Sequence, residues 1–219
     1  QTKADTIKYL KADENKISVI YQGCNAVFKK QYTEDEKLKN RQKFKLPGQY
    51  ILNVGTLQER KNALTLIKAI NGTKHHLVLV GHEKGYAKAL HEYISTNNLE
   101  KQVTFIKDIT TEDLALIYQN ATIFCYPSIC EGFGIPIIEA LFSGLPVITT
   151  KFGCFSEAAG PNSLYVNPND ENEIRTKINL LFEDSDLRKK LIETGLQFVQ
   201  KFSDENVAKN LINLYKKVL

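Results

Sequence analysis

The chain has 219 residues, of which 42% are hydrophobic and 25% are charged, and its formal net charge is +4. This composition excludes a disordered chain, and the length suits one domain or a domain with a tail. The charge is too small and too evenly spread to indicate a nucleic-acid partner. Neither a run of 18 apolar residues nor a signal-peptide pattern occurs, so we expect no membrane-spanning helix and no secretory leader.

The sequence begins at Gln1 and contains no methionine, so we expect a piece or a processed product of a longer protein. Four cysteines occur, at Cys24, Cys125, Cys130 and Cys154. They lack the spacing of a metal site, which favours reduced, buried thiols over disulfides and so suggests the cytoplasm. Lysines in 29–30 and 37–45 leave open a peripheral attachment to an anionic membrane, such as the inner surface of the cell membrane.

Taken in chain order, the sequence first predicts a helix at 7–10, a strand at 17–21 and an exposed helical excursion over 28–46. From residue 51, strand-like runs alternate with amphipathic helical runs, which predicts the α/β class with a parallel sheet and helices on both faces. The predicted strands are 51–54, 77–80, 103–106, 122–126, 147–149 and 164–166. The predicted helices between them are 63–70, 86–97, 111–118 and 136–142. Only helices follow residue 170, at 171–182, 187–202 and 204–219.

One loop joins the first strand of this series to a helix and reads Gly-Thr-Leu-Gln-Glu-Arg-Lys-Asn over 55–62. Arg60 can grip phosphate oxygens with two donors, and Lys61 supplies a compact positive charge. Gly55 forms the turn at the strand end. The loop therefore predicts a clamp for a diphosphate, although adjacent cations before a helix are also typical of a solvated surface.

A second loop, over 131–139, reads Glu-Gly-Phe-Gly-Ile-Pro-Ile-Ile-Glu. Gly132 and Gly134 allow close approach of the backbone to a ligand, and Pro136 is suited to the first turn of a helix. The start of that helix offers unpaired N–H groups to an anion, and Glu139 lies about one turn inside it. Glu131 stands at the entrance of the loop. Ordinary turn chemistry would also explain the glycines, and each Glu alone could face solvent.

Both loops leave the carboxyl ends of predicted parallel strands, so we expect them to face one crevice. Cations and N–H groups there would hold phosphates, and a carboxylate would accept hydrogen bonds from ribose hydroxyls.

These segments, together with Gly23-Cys24-Asn25, Tyr126-Pro127-Ser128 and Gly144-Leu-Pro-Val-Ile148, resemble the C-terminal domain of retaining glycosyltransferases of the GT-B fold, in glycosyltransferase family 4. The resemblance covers essentially the whole chain. It implies the C-terminal half of a GT-B fold: residues 1–22 would end an interdomain linker and form a first strand. Residues 23–168 would form a Rossmann-like domain that binds a nucleotide sugar, and 169–219 would be helices that complete it and reach toward the other domain.

The resemblance also implies roles for single residues. Lys61, helped by Arg60, would neutralise the donor diphosphate; Glu139 would bind the ribose; the backbone near Ile106 and Ile109 would hold the base. Glu131 would be the catalytic residue, because a carboxylate beside the reacting carbon can orient the transferred sugar and stabilise positive charge. The implied donor-binding residues are Gly55, Arg60, Lys61, Ile106, Ile109, Gly132, Phe133, Gly134, Ile135, Pro136 and Glu139.

Two features depart from the family. Thr56 stands where many members have an arginine, and the N-terminal domain, which would bind the acceptor, is absent from this sequence. We therefore expect weak donor binding and no catalysis from this chain alone. The Asp-x-Asp triplet of the sequence, Asp184-Ser185-Asp186, lies in a turn between two predicted helices and away from the two loops, and we expect neither a metal nor another cofactor.

The resulting hypothesis is a transferase that moves a hexosyl unit, of mannose or glucose type, from a nucleoside diphosphate sugar to a glycan or lipid-linked acceptor in polysaccharide biosynthesis. Its partners would be the donor, the acceptor and its own N-terminal GT-B domain. The alternatives are a non-catalytic sugar-nucleotide-binding subunit or sensor, and a GT-B sugar-nucleotide epimerase.

Overall fold

The computed structural model describes residues 1–218 and has a six-stranded parallel sheet in the order β3-β2-β1-β4-β5-β6. The strands are β1 (Ile51–Val54), β2 (Leu77–Val80), β3 (Val103–Ile106), β4 (Ile123–Tyr126), β5 (Val147–Thr150) and β6 (Leu164–Val166). The helices are α1 (Thr2–Leu10), α2 (Glu34–Lys43), α3 (Ala63–Ile70), α4 (Ala87–Thr96), α5 (Thr111–Asn120), α6 (Ile135–Phe142), α7 (Phe155–Ala159), α8 (Glu171–Glu183), α9 (Ser185–Val199) and α10 (Asp204–Val218). The predicted Rossmann-like α/β class, with helices on both faces and a helical C-terminal segment, is confirmed.

The strand order places the start of the series in the middle of the sheet. From β1 the chain moves outward through β2 to β3, and then returns to build β4, β5 and β6 on the other side of β1. β1 pairs with β4 in parallel, with Ile51 opposite Ile123. The crossovers therefore diverge between β1 and β4, which leaves a crevice at the carboxyl ends of these two strands.

Two apolar cores cover the two faces of the sheet. Alternate residues of each strand enter opposite cores, as for Leu52 in one and Ile51 in the other. One core contains side chains from α5, α6 and α7, and the other contains side chains from α3, α4 and α8. Because both faces are buried, the strands need apolar residues at consecutive positions, and this explains why their sequences lack an alternating polar pattern.

The strand predicted at 17–21 is wrong. This segment is extended but belongs to no strand, and its Tyr21 ring instead stacks on Phe133 with 5.2 Å between the ring centroids. Val19 is 50% exposed. Apolar β-branched residues favour extended backbone, but a strand also needs a partner along its length, and this segment packs against a loop instead of a sheet edge.

The excursion predicted at 28–46 is helical over α2 but is not simply exposed. Phe28, Tyr32 and Leu46 are buried, and Asn40 of α2 donates to the backbone of Asp113 on α5. A capping box at Thr33 starts α2. The many charges of α2 obscured this burial, because the buried apolar residues flank the helix instead of forming a stripe along it.

The remaining predictions concern the ends of elements and the thiols. The last helix was predicted to reach Leu219, which lies outside the described residues. The cysteines are free, as predicted, and Cys125 and Cys154 are buried whereas Cys130 is exposed. Along residues 1–218, no helix is both long and apolar enough to cross a bilayer.

Candidate functional site

The two loops singled out by the sequence meet at the carboxyl ends of β1 and β4. The backbone N–H of Ile129 donates to the carbonyl of Arg60 at 2.8 Å, which ties the loop after β4 to the loop after β1. Asn62 adds a second tie, because its buried amide donates to the carbonyls of Pro127 (3.1 Å) and Pro168 (2.6 Å). The crevice expected from the sequence is therefore formed by loops that are bonded to each other.

Four donors converge on one carboxylate oxygen, Oε1 of Glu131. The Nζ of Lys61 lies 2.5 Å away and the Nη1 of Arg60 lies 3.0 Å away. The hydroxyls of Tyr126 and Ser128 lie at 2.9 and 2.8 Å. Burial alone would raise the pKa of Glu131, but the hydrogen bonds from Lys61, Ser128 and Tyr126 hold it below its usual value.

The phenol of Tyr126 connects the cation and the carboxylate. It accepts a hydrogen bond from Lys61 Nζ at 2.5 Å and donates its own proton to Glu131. The side chains of Lys61 and Glu131 are each only 11% exposed, which rules out a solvated surface pair for Lys61. Removing one partner of such a buried pair leaves an uncompensated charge and costs on the order of 3–5 kcal/mol.

Arg60 and Gly55 complete the cationic side of the crevice. The Arg60 side chain remains 47% exposed, and its Nη1 also donates to the carbonyl of Cys130 at 3.1 Å. At Gly55, a Cβ would lie 3.4 Å from Cε of Lys61, so the small residue leaves space for the lysine side chain. The guanidinium thus has access to solvent, whereas the ammonium is enclosed.

Gly134 shapes the entry into α6. It has φ of 104°, and Pro136 occupies the first helical turn as predicted. A Cβ at Gly134 would lie 3.1 Å from Cδ1 of Ile137, so a side chain is disfavoured both by backbone angle and by space. Ile135 begins the helix. Pro136 has no N–H and that of Ile137 donates to the carbonyl of Gly134 at 2.9 Å, so the positive end of the helix dipole is what gives this end of α6 the capacity to hold an anion.

Glu139 lies half-buried on α6, and Tyr118 of α5 donates to its Oε2 at 3.0 Å. Burial raises the pKa of Glu139 to about 7, although the hydrogen bond from Tyr118 lowers it. The two glutamates of the loop therefore differ in environment: Glu131 is surrounded by cations and hydroxyls, and Glu139 is largely shielded from water with the Tyr118 hydroxyl as its donor.

The other predicted donor residues occupy different settings. Ile106 is buried and its carbonyl accepts the N–H of Gly81 at 2.9 Å, so this carbonyl already has a partner within the sheet. Ile109 packs at the margin of a core. Gly132 is exposed, and Phe133 packs between Tyr21 and Phe202. Contacts of Ile106 and Ile109 with a base stay a prediction.

A cavity of about 330 Å³ lies beside Gly132 and Phe133, between this loop, α1 and the segment 17–22. Its lining includes Cys154 and Glu157 but none of Lys61, Glu131 and Glu139. It therefore borders the crevice from the side of the N-terminal segment.

Sequence reasoning assigned no role to Tyr118, Tyr126 or Ser128. A hydroxyl at the last position of an apolar strand, as in Tyr126, is a usable signal, because that position faces the ligand end of a parallel sheet. Ser128 follows two residues later and gives a similar signal. Tyr118 gives none, since its contact with Glu139, 21 positions away on the next helix, depends on how the two helices pack.

Within residues 1–218, His, Cys, Asp and Glu side chains do not gather in any group of three that could hold a metal ion. The expectation that no metal is needed stays a prediction.

Comparison with known proteins links the geometry to a family. Residues 34–198 match the family model described as "Glycosyl transferases group 1". The chain is similar to the O-antigen chain mannosyltransferase RfbU of Salmonella typhimurium, with 34% identity over 180 residues that cover 81% of this chain and 48% of that protein. It is also 32% identical, over 182 residues, to O-antigen chain mannosyltransferase B of Escherichia coli, covering 80% of this chain and 48% of the relative.

Among solved structures, a glycosyltransferase from Rickettsia africae ESF-5 superposes with a TM-score of 0.89 and 26% identity, covering 99% of this chain and 61% of that chain. The chain thus spans about half the length of the curated relatives that it matches.

Proposed function

This chain belongs to the glycosyl transferases group 1 family, and from that premise we propose that it is the nucleotide-sugar-binding domain of a retaining hexosyltransferase. The observation that carries the proposal is the meeting of Lys61, Arg60, Glu131 and Glu139 at the carboxyl ends of β1 and β4. Ligands of open α/β sheets bind at such a switch point between strands.

The diphosphate of the donor would lie between the Arg60–Lys61 cations and the first turn of α6. Each cation has more than one N–H donor, so both can keep Glu131 and still contact phosphate oxygens. The helix start adds a positive dipole end. These groups stabilise the negative charge that grows on the diphosphate as the bond between the anomeric carbon and the phosphate oxygen breaks.

Glu131 would act on the transferred sugar. Its low pKa keeps the carboxylate ionised, so it can orient hydroxyls of the ring and stabilise positive charge at the anomeric carbon. Its position is fixed by Tyr126 and Ser128 on the same oxygen. The second oxygen of the carboxylate is the one available to the sugar.

Glu139 would accept hydrogen bonds from the ribose hydroxyls, because it lies one turn inside the helix whose start would face the phosphates. Ile106 and Ile109, at the end of β3, would border the base. No metal enters this scheme, since the cations and the helix supply positive charge.

The sugar is proposed from the relatives. Two similar proteins are named O-antigen chain mannosyltransferases, which favours a hexosyl unit of mannose or glucose type and a place in polysaccharide biosynthesis. A glycan or lipid-linked acceptor and a second, N-terminal GT-B domain would complete the reaction. We place the protein in the cytoplasm, at or near the inner membrane surface.

The test is an assay of sugar transfer by the protein that carries this chain together with an N-terminal GT-B domain. GDP-mannose, UDP-glucose and ADP-glucose are supplied with lipid-linked glycan acceptors, and the anomeric configuration of the product is determined by NMR. The proposal predicts transfer from one donor with retained configuration. Nucleotide binding without transfer or donor hydrolysis would instead identify a non-catalytic subunit, and a changed sugar nucleotide would identify an epimerase.

A further inference from the structure

The phenol of Tyr118 lies beneath Glu139 with its ring held in one place. The side chain is completely buried. Phe28 meets the ring edge-on, with centroids 5.5 Å apart, and Phe124 packs against it at 5.4 Å. Packing of this kind fixes the direction in which the hydroxyl points, because a tilt of the ring would displace two other buried aromatic rings.

The hydroxyl has one proton and two acceptors within reach. Oε2 of Glu139 lies at 3.0 Å and the carbonyl of Pro136 lies at 3.3 Å. Oε2 is the nearer acceptor, and it is also the stronger one whenever the carboxyl is ionised. Burial, together with the nearby Glu139, raises the pKa of Tyr118 well above its ordinary value, so the phenol keeps its proton and remains a donor.

We propose that Tyr118 is a positioning residue for nucleotide recognition: its hydroxyl holds Oε2 of Glu139 and leaves Oε1 to accept from the ribose. The inference rests on the proposed function, in which Glu139 contacts the ribose. A glutamate on a helix has three side-chain torsions, and a single fixed donor at one oxygen removes most of that freedom before the ligand arrives. Tyr118 itself touches no ligand in this scheme.

The first measurement is calorimetric titration of the 219-residue chain with UDP, GDP and ADP, followed by the 2′-deoxy and 3′-deoxy forms of whichever nucleotide binds. The unmodified chain is expected to lose about tenfold or more in affinity for at least one deoxy form, since a hydrogen bond to a charged group is lost.

Tyr118→Phe is expected to weaken the ribonucleotide about 5- to 20-fold and to leave the affinity for that deoxy form unchanged. In the double variant, Tyr118→Phe should lower the affinity for the ribonucleotide little further than Glu139→Gln does alone, because both changes remove the same contact. A general defect in folding would instead lower the affinity for the ribonucleotide and for its deoxy form to the same extent.

Tyr50→Phe is the matched control. Tyr50 is also completely buried, and its hydroxyl donates to the carbonyl of Ile117 at 2.5 Å, on the residue next to Tyr118. The control removes a buried phenol proton from the same core and should keep the full preference for ribose. Thermal unfolding of each variant shows that the fold is intact.

If Tyr118→Phe is too unstable to titrate, Phe28→Leu answers the same question, because it keeps the hydroxyl and loosens the packing of the ring. Its preference for ribose should fall, although by less. An unchanged preference for ribose in the folded variant would overturn the positioning role while leaving the proposed function intact. Absence of binding by the unmodified chain to all three nucleotides would overturn both.

Discussion

At the scale of single residues, the site separates two carboxylates by their surroundings. Glu131 shares one oxygen among Lys61, Arg60 and two hydroxyls, and its pKa is held low. Glu139 is half-buried with Tyr118 as its donor, and its pKa is raised to about 7. Such a divergence gives two chemically similar groups different tasks. A permanently ionised Glu131 suits contact with a developing cation, whereas a carboxyl like Glu139 suits hydrogen bonding to hydroxyls.

Glu139 should make the stability of the fold depend on pH. Its folded-state pKa of about 7 lies above the ordinary value of 4.5, so the protonated form favours folding. This contribution is fully present below about pH 4.5 and is lost as pH rises through about 7, with a size on the order of 2–3 kcal/mol. Glu139→Gln resembles the protonated carboxyl and does not titrate, so urea unfolding between pH 5 and 8 should show the unmodified chain losing stability relative to this variant as pH rises to about 7, after which the difference levels off.

The other titratable groups that face Glu139 should not contribute to this pH dependence. Tyr118 on α5, Tyr126 on β4 and Cys24 beside the 3₁₀ turn at Ala26–Phe28 all have pKa values raised above their ordinary ones by burial. They therefore stay protonated across the range. Lys29 and Asp204 lie farther out, against Cys24. A constant difference between the two proteins from pH 5 to 8 would contradict the assigned pKa.

At the scale of elements, the loops after β1 and β2 approach each other so closely that one glycine is required. Gly81 has φ of 154°, and a Cβ there would lie 2.1 Å from the carbonyl oxygen of Gly55. Gly81→Ala must therefore push backbone apart beside the cationic loop, and we expect a loss of about 2–4 kcal/mol in the free energy of unfolding. Gly85→Ala lies in the same loop and meets nothing within 4 Å.

Denaturant titration of these two alanine variants gives the comparison. Gly85→Ala should stay within about 0.5 kcal/mol of the unmodified chain, as surface changes usually do. Equal stability of the two variants would mean that the loops after β1 and β2 lie farther apart than the structure shows.

The strands and helices also show which parts of the fold could be predicted from the sequence. Periodic apolar runs marked all six strands and most helices, because burial on both faces leaves a continuous apolar pattern. The segment 17–21 has the same local character and still forms no strand, since pairing depends on a distant partner. The buried part of segment 28–46 was hidden because its apolar residues, such as Phe28 and Leu46, flank the charged helix α2 instead of forming a stripe on it.

The candidate site, like the fold, could be predicted from the sequence only in part. The loops and their charges were readable because each follows a strand and carries its own short pattern. The contacts of Tyr126 with Lys61 and of Tyr118 with Glu139 join residues 65 and 21 positions apart. Such contacts depend on the three-dimensional packing of the sheet and helices, which no local spacing encodes.

At the scale of the whole molecule, the chain covers about half of its curated relatives. α10 exposes Leu211, Ile212 and Tyr215 at 37%, 52% and 58%, and this apolar surface is consistent with the proposed return of the last helix to an N-terminal domain. Ile212→Asp should leave the melting temperature of this chain within about 1 °C, because the side chain already faces solvent.

In the protein that carries both domains, the same change should lower sugar transfer at least about fivefold by placing a charge at the interface between the domains. Lys209→Asp, another change of charge on α10, is the control for altered electrostatics. Equal transfer by the Ile212 variant and the unmodified protein would argue against this surface as the contact.

The most direct test of the donor site is a crossed measurement of nucleotide affinity in this chain. Lys61→Met and Glu139→Gln are each titrated with a nucleoside diphosphate, the matching monophosphate and the 2′- and 3′-deoxy diphosphates. The account predicts that Lys61→Met loses the preference for diphosphate by about tenfold or more and keeps the preference for ribose, and that Glu139→Gln does the reverse. Absence of nucleotide binding by the unmodified chain, or unchanged preferences in both variants, would contradict it.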